Sequence, residues 1–224
     1  NKRFILESNM KGQFLVLDGI DGCGKTTQIT HLANWLPISG LMPQGAKLHV
    51  TREPGGTDLG ASLRKLLLAT PKEHAPEPTT ELLLYAADRA QHISQLIKPA
   101  LTKGDWILSD RFSGSTIAYQ GHGRKLNINV IHKLEEIATQ GISPDITLWL
   151  DIGVAESLRR RKQQSNDRIE AEGKEFLEKV ASGFSDLAKS KSWIQIFAEA
   201  ESSIVSQNIE KALQTHFQNV HRND

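Results

Sequence analysis

Residues Gly19 to Thr26 read Gly-Ile-Asp-Gly-Cys-Gly-Lys-Thr, and no other stretch restricts the possible folds of this chain so severely. The segment satisfies G-x-x-x-x-G-K-[ST]. An apolar run, Phe14 to Asp18, precedes it, and a helical pattern through Ile29, Leu32, Ala33 and Leu36 follows. Strand, glycine-rich turn and helix in that order make a loop whose successive backbone N–H groups point inward. The helix start adds roughly half a positive charge, so the loop is a cradle for phosphate. The candidate cradle residues are Gly19, Ile20, Asp21, Gly22, Cys23, Gly24, Lys25, Thr26 and Thr27. In such a loop Lys25 reaches the β- and γ-phosphates of ATP, and the Thr26 hydroxyl coordinates the Mg²⁺ that bridges them. Cys23 reads as a small residue filling the loop.

The rest of the chain repeats the strand–helix alternation. Leu48 to Thr51, Trp106 to Asp110 and Ile146 to Asp151 are further apolar runs, and Trp193 to Ala198 is a fifth candidate. Runs this apolar suit strands covered on both faces. The expected fold is therefore α/β: a three-layer P-loop NTPase fold with a parallel five-stranded sheet and helices on both faces. Ligands in such sheets bind beyond the carboxyl ends of the strands. Three runs end there in polar groups: Asp18, Thr51 with Arg52, and Asp110 with Arg111. The length of 224 residues suits a single domain. We set its bounds at residues 12–217, with an N-terminal extension over 1–11 and a tail over 218–224.

Composition excludes several lives for the chain. Lys and Arg number 27 against 26 Asp and Glu, a formal net charge of +1, so no overall field steers it to nucleic acid or to an acidic membrane. No apolar run approaches the length that crosses a bilayer, and the basic start is followed by only three apolar residues before Glu7. A single cysteine rules out an intramolecular disulfide and suits a reducing compartment, so the expected location is cytoplasmic.

A phosphate cradle alone serves kinases, switches and motors alike. Asp110 closes a buried run and is a metal-shell candidate, with Asp18 as its competitor. A guanine-reading switch needs [NT]-K-x-D at a strand end. Thr102-Lys103-Gly104-Asp105 has those letters, but it precedes the run Trp106 to Asp110 and reads as a helix stop at Gly104. A kinase for a small anionic acceptor should instead scatter arginines around the site, because two anions must be held together. Arg52, Arg89, Arg111, Arg159, Arg160, Arg161 and Arg168 are placed for that task.

Four segments together resemble the thymidylate kinases: Asp18 to Thr27 (DGIDGCGKTT), Thr51 to Thr57 (TREPGGT), Leu82 to Arg89 (LLLYAADR) and Asp110 to Gly121 (DRFSGSTIAYQG). The second and fourth are far more specific than the loop. The resemblance implies MgATP as phosphoryl donor and thymidine monophosphate as acceptor, within a homodimer. It makes Tyr85 the ring that stacks on thymine, with Arg89 beside it. These two are four residues apart on a predicted helix and so share a face. The same resemblance gives Arg52 and Arg111 to the acceptor's 5′-phosphate and Asp21 to the sugar 3′-hydroxyl. Tyr119 goes to the place a ribose 2′-hydroxyl would occupy, and Ser115 and Gln120 to hydrogen bonds near the base.

The basic segment after Asp151 resembles the family's lid, set at about residues 155–170. Thymidylate kinases carry their catalytic arginine either in the loop or in the lid; the loop here has Asp21-Gly22-Cys23 and no arginine, so the resemblance implies that the lid supplies it. Arg160 and Arg161 are the candidates, in a lid that departs from the bacterial pattern at Gln163, Gln164 and Asp167-Arg168. The alternatives are a kinase for another nucleoside or nucleoside monophosphate, and a nucleotide-dependent switch.

Overall fold

A computed structural model of the chain describes residues 12–161, 169 and 172–223. Its centre is β1 (Phe14–Asp18), whose five residues are all buried because the strand alternates between two cores. Leu15 and Leu17 enter the larger cluster, while Phe14 and Val16 face a smaller one with Ile93, Ile97, Ile107 and Phe112. Around β1 stand β2 (Leu48–Arg52), β3 (Trp106–Asp110), β4 (Ile146–Asp151) and β5 (Ile194–Phe197). The order is β2-β3-β1-β4-β5, and every pairing is parallel. This is the expected five-stranded P-loop NTPase sheet. β2 runs one residue past its expected end, to Arg52, which pairs in register with Asp110. The fifth strand is one residue shorter than its apolar run at each end: Trp193 N bonds the Ala188 carbonyl, while Ala198 N still reaches the Asp151 carbonyl.

The helices follow local chemistry. α1 (Lys25–Trp35) leaves the phosphate loop, and α2 (Asp58–Leu68) starts where the Thr57 hydroxyl accepts from Gly60 N at 3.0 Å. α3 (Pro78–His92) opens on a proline with its fixed φ. It runs through a π turn at Ile93–Ile97 into α4 (Lys98–Thr102). Gly104, at φ 80°, stops that helix as expected. Asp105 then accepts from Lys47 N and pairs with His49, both at 2.9 Å, so the Thr-Lys-Gly-Asp letters serve a strand tie. α5 (Ser113–Thr116) continues as a π turn over Ile117–Gly123, before α6 (Ile128–Thr139).

α7 (Val154–Arg161) follows β4, α8 (Lys174–Ser190) packs on the π turn at Ile117–Gly123, and α9 (Ser202–Asn223) closes the fold. Gln163, Gln164, Asp167, Arg168 and Glu170 lie outside the described residues. No helix among the described residues is long and apolar enough to cross a membrane. α3 packs against both α2 and α6, and these three helices leave Leu59, Leu66, Leu83, Val130 and Ile137 at least half exposed.

Candidate active site

The carboxyl ends of β1, β2 and β3 open onto one cavity of about 690 Å³. At one end lies the phosphate loop. Gly24 holds φ 97°, and a Cβ there would meet nothing within 4 Å, so the loop presents an open concave face. Gly19, at φ 144°, has no such room: a Cβ would sit 2.7 Å from the Leu150 carbonyl. The start of α1 has no side-chain cap, which leaves its first-turn N–H groups to an anion. Lys25 lies folded into the loop, its Nζ donating to the carbonyls of Gly19 and Ile20 at 3.1 Å each. Cys23 is buried, and burial pushes its thiol up from the usual range. From α7 the Ser157 hydroxyl donates to the Asp21 carbonyl at 2.7 Å, tying that helix to the loop.

Arg111 is the hub joining this loop to the rest. Its backbone sits at φ 71°, a left-handed conformation that costs a non-glycine residue of the order of 1 kcal/mol. That turn throws the guanidinium back under β1. There Nη1 donates to the Gly19 carbonyl and the Ser115 hydroxyl, both at 2.9 Å, and Nη2 binds Asp21 and reaches the Tyr119 hydroxyl at 3.3 Å. Tyr119 donates to Asp21 at 2.7 Å, and its ring lies 5.1 Å from the guanidinium. Burial alone would raise the Asp21 carboxyl. Arg111, Lys25 and the Tyr119 hydroxyl outweigh it and hold the group at about 2, so Asp21 is a fixed negative acceptor.

The far end of the cavity is lined by Arg52, Tyr85, Arg89 and Gln120. Tyr85 and Arg89 do share a face of α3. Arg89 is almost fully buried, and an unpaired guanidinium there would cost several kcal/mol. It is not unpaired: Nε donates to Glu53 at 2.8 Å, while Nη1 donates to Glu135 at 2.5 Å and to the Thr116 hydroxyl at 2.9 Å. Although burial opposes its charge, Glu135 and Glu53 win and hold the guanidinium above its ordinary range. Glu53 is fixed in turn by His92 Nδ1 at 2.8 Å, and Thr51 lies 2.7 Å from His92 Nε2. Ser115 sits nearer the phosphate loop than the far end, donating to Asp18 at 2.6 Å.

The residues suit Mg²⁺ of the kind that arrives with phosphates. Thr26 and Asp110 line the cavity, and Asp110 Oδ1 is buried with no hydrogen-bond partner. A hydroxyl and a carboxylate are hard oxygen donors, and Mg²⁺ takes one or two of these plus phosphate and water. No group of three or more His, Cys, Asp or Glu among the described residues would hold a metal unaided. Asp18, the competing metal candidate, does not line this cavity. Its Oδ1 accepts from Ser115 and from Gly19 N, and its Oδ2 faces Gly114 beside a separate cavity of about 200 Å³. Burial, against the pull of Arg111, pushes the Asp18 carboxyl up to about 6.

The two lid candidates part company. Arg160 lines the cavity, bonding Glu156 at 2.7 Å and the Glu199 carbonyl at 3.1 Å. Arg161 is buried, does not line the cavity, and lays its stem against Gly22, where a Cβ would come within 3.0 Å of it. Sequence reasoning missed Glu53, Arg64 and Gln28, which also line the cavity. Glu53 lies inside the Thr51 to Thr57 segment and was open to discovery. Arg64 had only helical spacing to mark it, and Gln28 is placed by α9, through bonds with Ser202 and Ser206. The stretch Ala198 to Ser202 also lines the cavity.

A phosphate loop at one end of a cavity and an aromatic ring with guanidinium groups at the other define a P-loop nucleotide kinase. A family model described as "Thymidylate kinase" matches residues 17–209, and the chain belongs to the thymidylate kinase family. It is 62% identical over 208 residues to a thymidylate kinase of Prochlorococcus marinus (strain MIT 9313), covering 93% of this chain and 96% of that one. With a thymidylate kinase of Synechococcus sp. (strain CC9605) it shares 61% over 207 residues, covering 92% and 99%. The fold matches the crystal structure of thymidylate kinase from Ehrlichia chaffeensis with a TM-score of 0.74 at 31% identity, over 91% of this chain and 99% of that one.

Proposed function

We infer how the residues of this cavity divide the family's reaction, in which ATP phosphorylates thymidine monophosphate to thymidine diphosphate for thymidine triphosphate synthesis. The observation that carries the reading is the single cavity that runs from the loop at Gly22 to Thr27 to Tyr85, Arg89 and Gln120, with Arg111 bonded between them. The loop takes the triphosphate of ATP, and Tyr85 stacks on thymine. Arg52 and Arg111 hold the acceptor's 5′-phosphate, and Asp21, fixed as an anion, accepts from the sugar 3′-hydroxyl. Tyr119 closes the place a 2′-hydroxyl would need. Thr26 and Asp110 would hold Mg²⁺, which when bound neutralises charge across the β- and γ-phosphates.

An acceptor phosphate oxygen is already ionised at neutral pH, so no strong general base is needed. Lys25 leaves its carbonyl partners for the phosphates, and Arg160 turns from Glu156 to the transferring group. Catalysis is alignment and charge neutralisation in a site screened from water.

A coupled assay with MgATP over thymidine, deoxyuridine, deoxycytidine and adenosine monophosphates tests the assignment. Thymidine monophosphate should be fastest, with deoxyuridine monophosphate slower by about 10- to 200-fold, the reach of one methyl contact. Faster transfer to another acceptor, or hydrolysis without transfer, overturns it. The homodimer is proposed on the exposed apolar residues of α2, α3 and α6. Sedimentation at twice the chain mass supports it, and a monomer at micromolar concentration removes it.

A further inference from the structure

The pyrimidine end of the cavity is backed by a carboxylate to which none of the roles above falls. Glu81, on α3, is fully buried and accepts a hydrogen bond from Gln120 Nε2 at 2.8 Å. From the other side Arg124 brings Nε and Nη2 to the two oxygens of Glu81, at 3.3 Å each. Arg124 is itself anchored, with Nη1 2.7 Å from Glu172 and the guanidinium 5.0 Å from the centre of the Phe176 ring. Gln120 stands on the π turn Ile117–Gly123, is 2% exposed, and lines the cavity.

A carboxylate paired with arginine offers only acceptors, so an amide that meets it must turn its NH₂ that way. Flipping the Gln120 amide would set one acceptor oxygen against another at the same place, losing a buried hydrogen bond and adding repulsion. Glu81 therefore selects one of two amide orientations that are otherwise nearly equal in shape. Only one N–H is spent on Glu81. The amide keeps Oε1 and its second N–H side by side, an acceptor next to a donor. That pair complements a 4-oxo pyrimidine, where N3–H donates and O4 accepts. In cytosine the same two positions are reversed, with N3 accepting and the 4-amino group donating, which is the pattern a flipped amide would fit.

Resting on the thymidine reading above, we propose that Glu81 is a positioning residue that fixes the Gln120 amide and so makes the site select thymine and uracil over cytosine. The 5-methyl contact separates thymine from uracil. Glu81 governs a different decision, the identity of the group at C4, and it acts by making the wrong base face a mismatched pair of polar groups.

Glu81→Gln keeps the shape but can donate as well as accept, which frees the Gln120 amide to turn. The test compares kcat/KM for thymidine, deoxyuridine and deoxycytidine monophosphates in wild type and variant. The thymidine-to-deoxycytidine ratio should fall by about 10-fold or more, while the thymidine-to-deoxyuridine ratio stays within about twofold. A purely structural role would depress all three together, and unchanged ratios overturn the proposal. Gln120→Leu should bring the first ratio to a floor that adding Glu81→Gln does not lower; a further drop would show that Glu81 acts by another route.

Should Glu81→Gln not fold, a structure of the wild-type chain with thymidine monophosphate decides the matter. Oε1 of Gln120 within hydrogen-bond reach of N3 supports the proposal, and the amide nitrogen there overturns it. Wild-type protein without activity on thymidine monophosphate defeats the functional reading itself, whereas active wild type with unmoved ratios defeats only the role of Glu81.

Discussion

Lys25→Ala is expected to lower kcat by a factor on the order of 10³ while the affinity for thymidine monophosphate changes less than about threefold. The ammonium lies among the carbonyls of Gly19 and Ile20 and 4.0 Å from Asp21, within the loop proposed to take the triphosphate. On the proposed reading its contribution belongs to the charge that builds on the phosphoryl group in flight, so removal should strike turnover and spare acceptor binding, which is assigned to Tyr85, Arg52 and Arg111. Single-turnover kinetics read the first effect, and titration calorimetry with the monophosphate reads the second. Because the loop carbonyls lose a partner, thermal unfolding of the variant separates a collapsed loop from a missing charge. Turnover within tenfold of wild type would show that the loop does not bind the transferring end of the donor.

The second large effect is expected at Arg160. Its present partner, Glu156, also binds Arg159 through both of its oxygens, and these side chains lie at the surface of α7. Exposed pairs three or four residues apart on a helix are worth only a few tenths of a kcal/mol. An arginine placed on a transferring phosphoryl group is worth about 10³ or more in rate. The ion pair to Glu156 is therefore a resting position that an incoming triphosphate easily displaces. Arg160→Ala should reduce kcat by about 10³ with little change in KM for the monophosphate. Arg161→Ala should instead lower the melting temperature, since the side chain is buried and its stem packs against Gly22. The reverse pattern, activity lost at Arg161 and kept at Arg160, would reassign the catalytic arginine.

β1, the loop and α1 were legible in the sequence because strand, glycines and helix must occur together for the backbone to curl. The three central strands, β1, β3 and β4, followed from apolar runs too continuous for a half-exposed strand, whereas the edge strands β2 and β5 are not covered on both faces and leave Val50 and Phe197 exposed. The choice between Arg160 and Arg161 was not legible. Adjacent residues in one basic run point about 100° apart on a helix, and only packing of α7 against the loop decides which faces the cavity. Nor were the partners of Arg89, because Glu53 and Glu135 lie 36 and 46 residues away and meet it only once α3, α6 and the turn after β2 have docked. The orientation of Gln120 was hidden for the same reason. Nothing in the letters Tyr-Gln-Gly announces that the helix widens to a π turn there, or that a carboxylate 39 residues earlier waits beside it.

Cys23 has a practical use. It is the chain's sole thiol, 2% exposed and wedged under the loop, so alkylating dyes should attack it slowly. A cysteine engineered onto the surface of α7 and another onto α9 would then take fluorophores almost without background. Whether the segment after α7 closes over a bound nucleotide, as proposed for a lid, then becomes something that can be timed, molecule by molecule, without first rebuilding the enzyme.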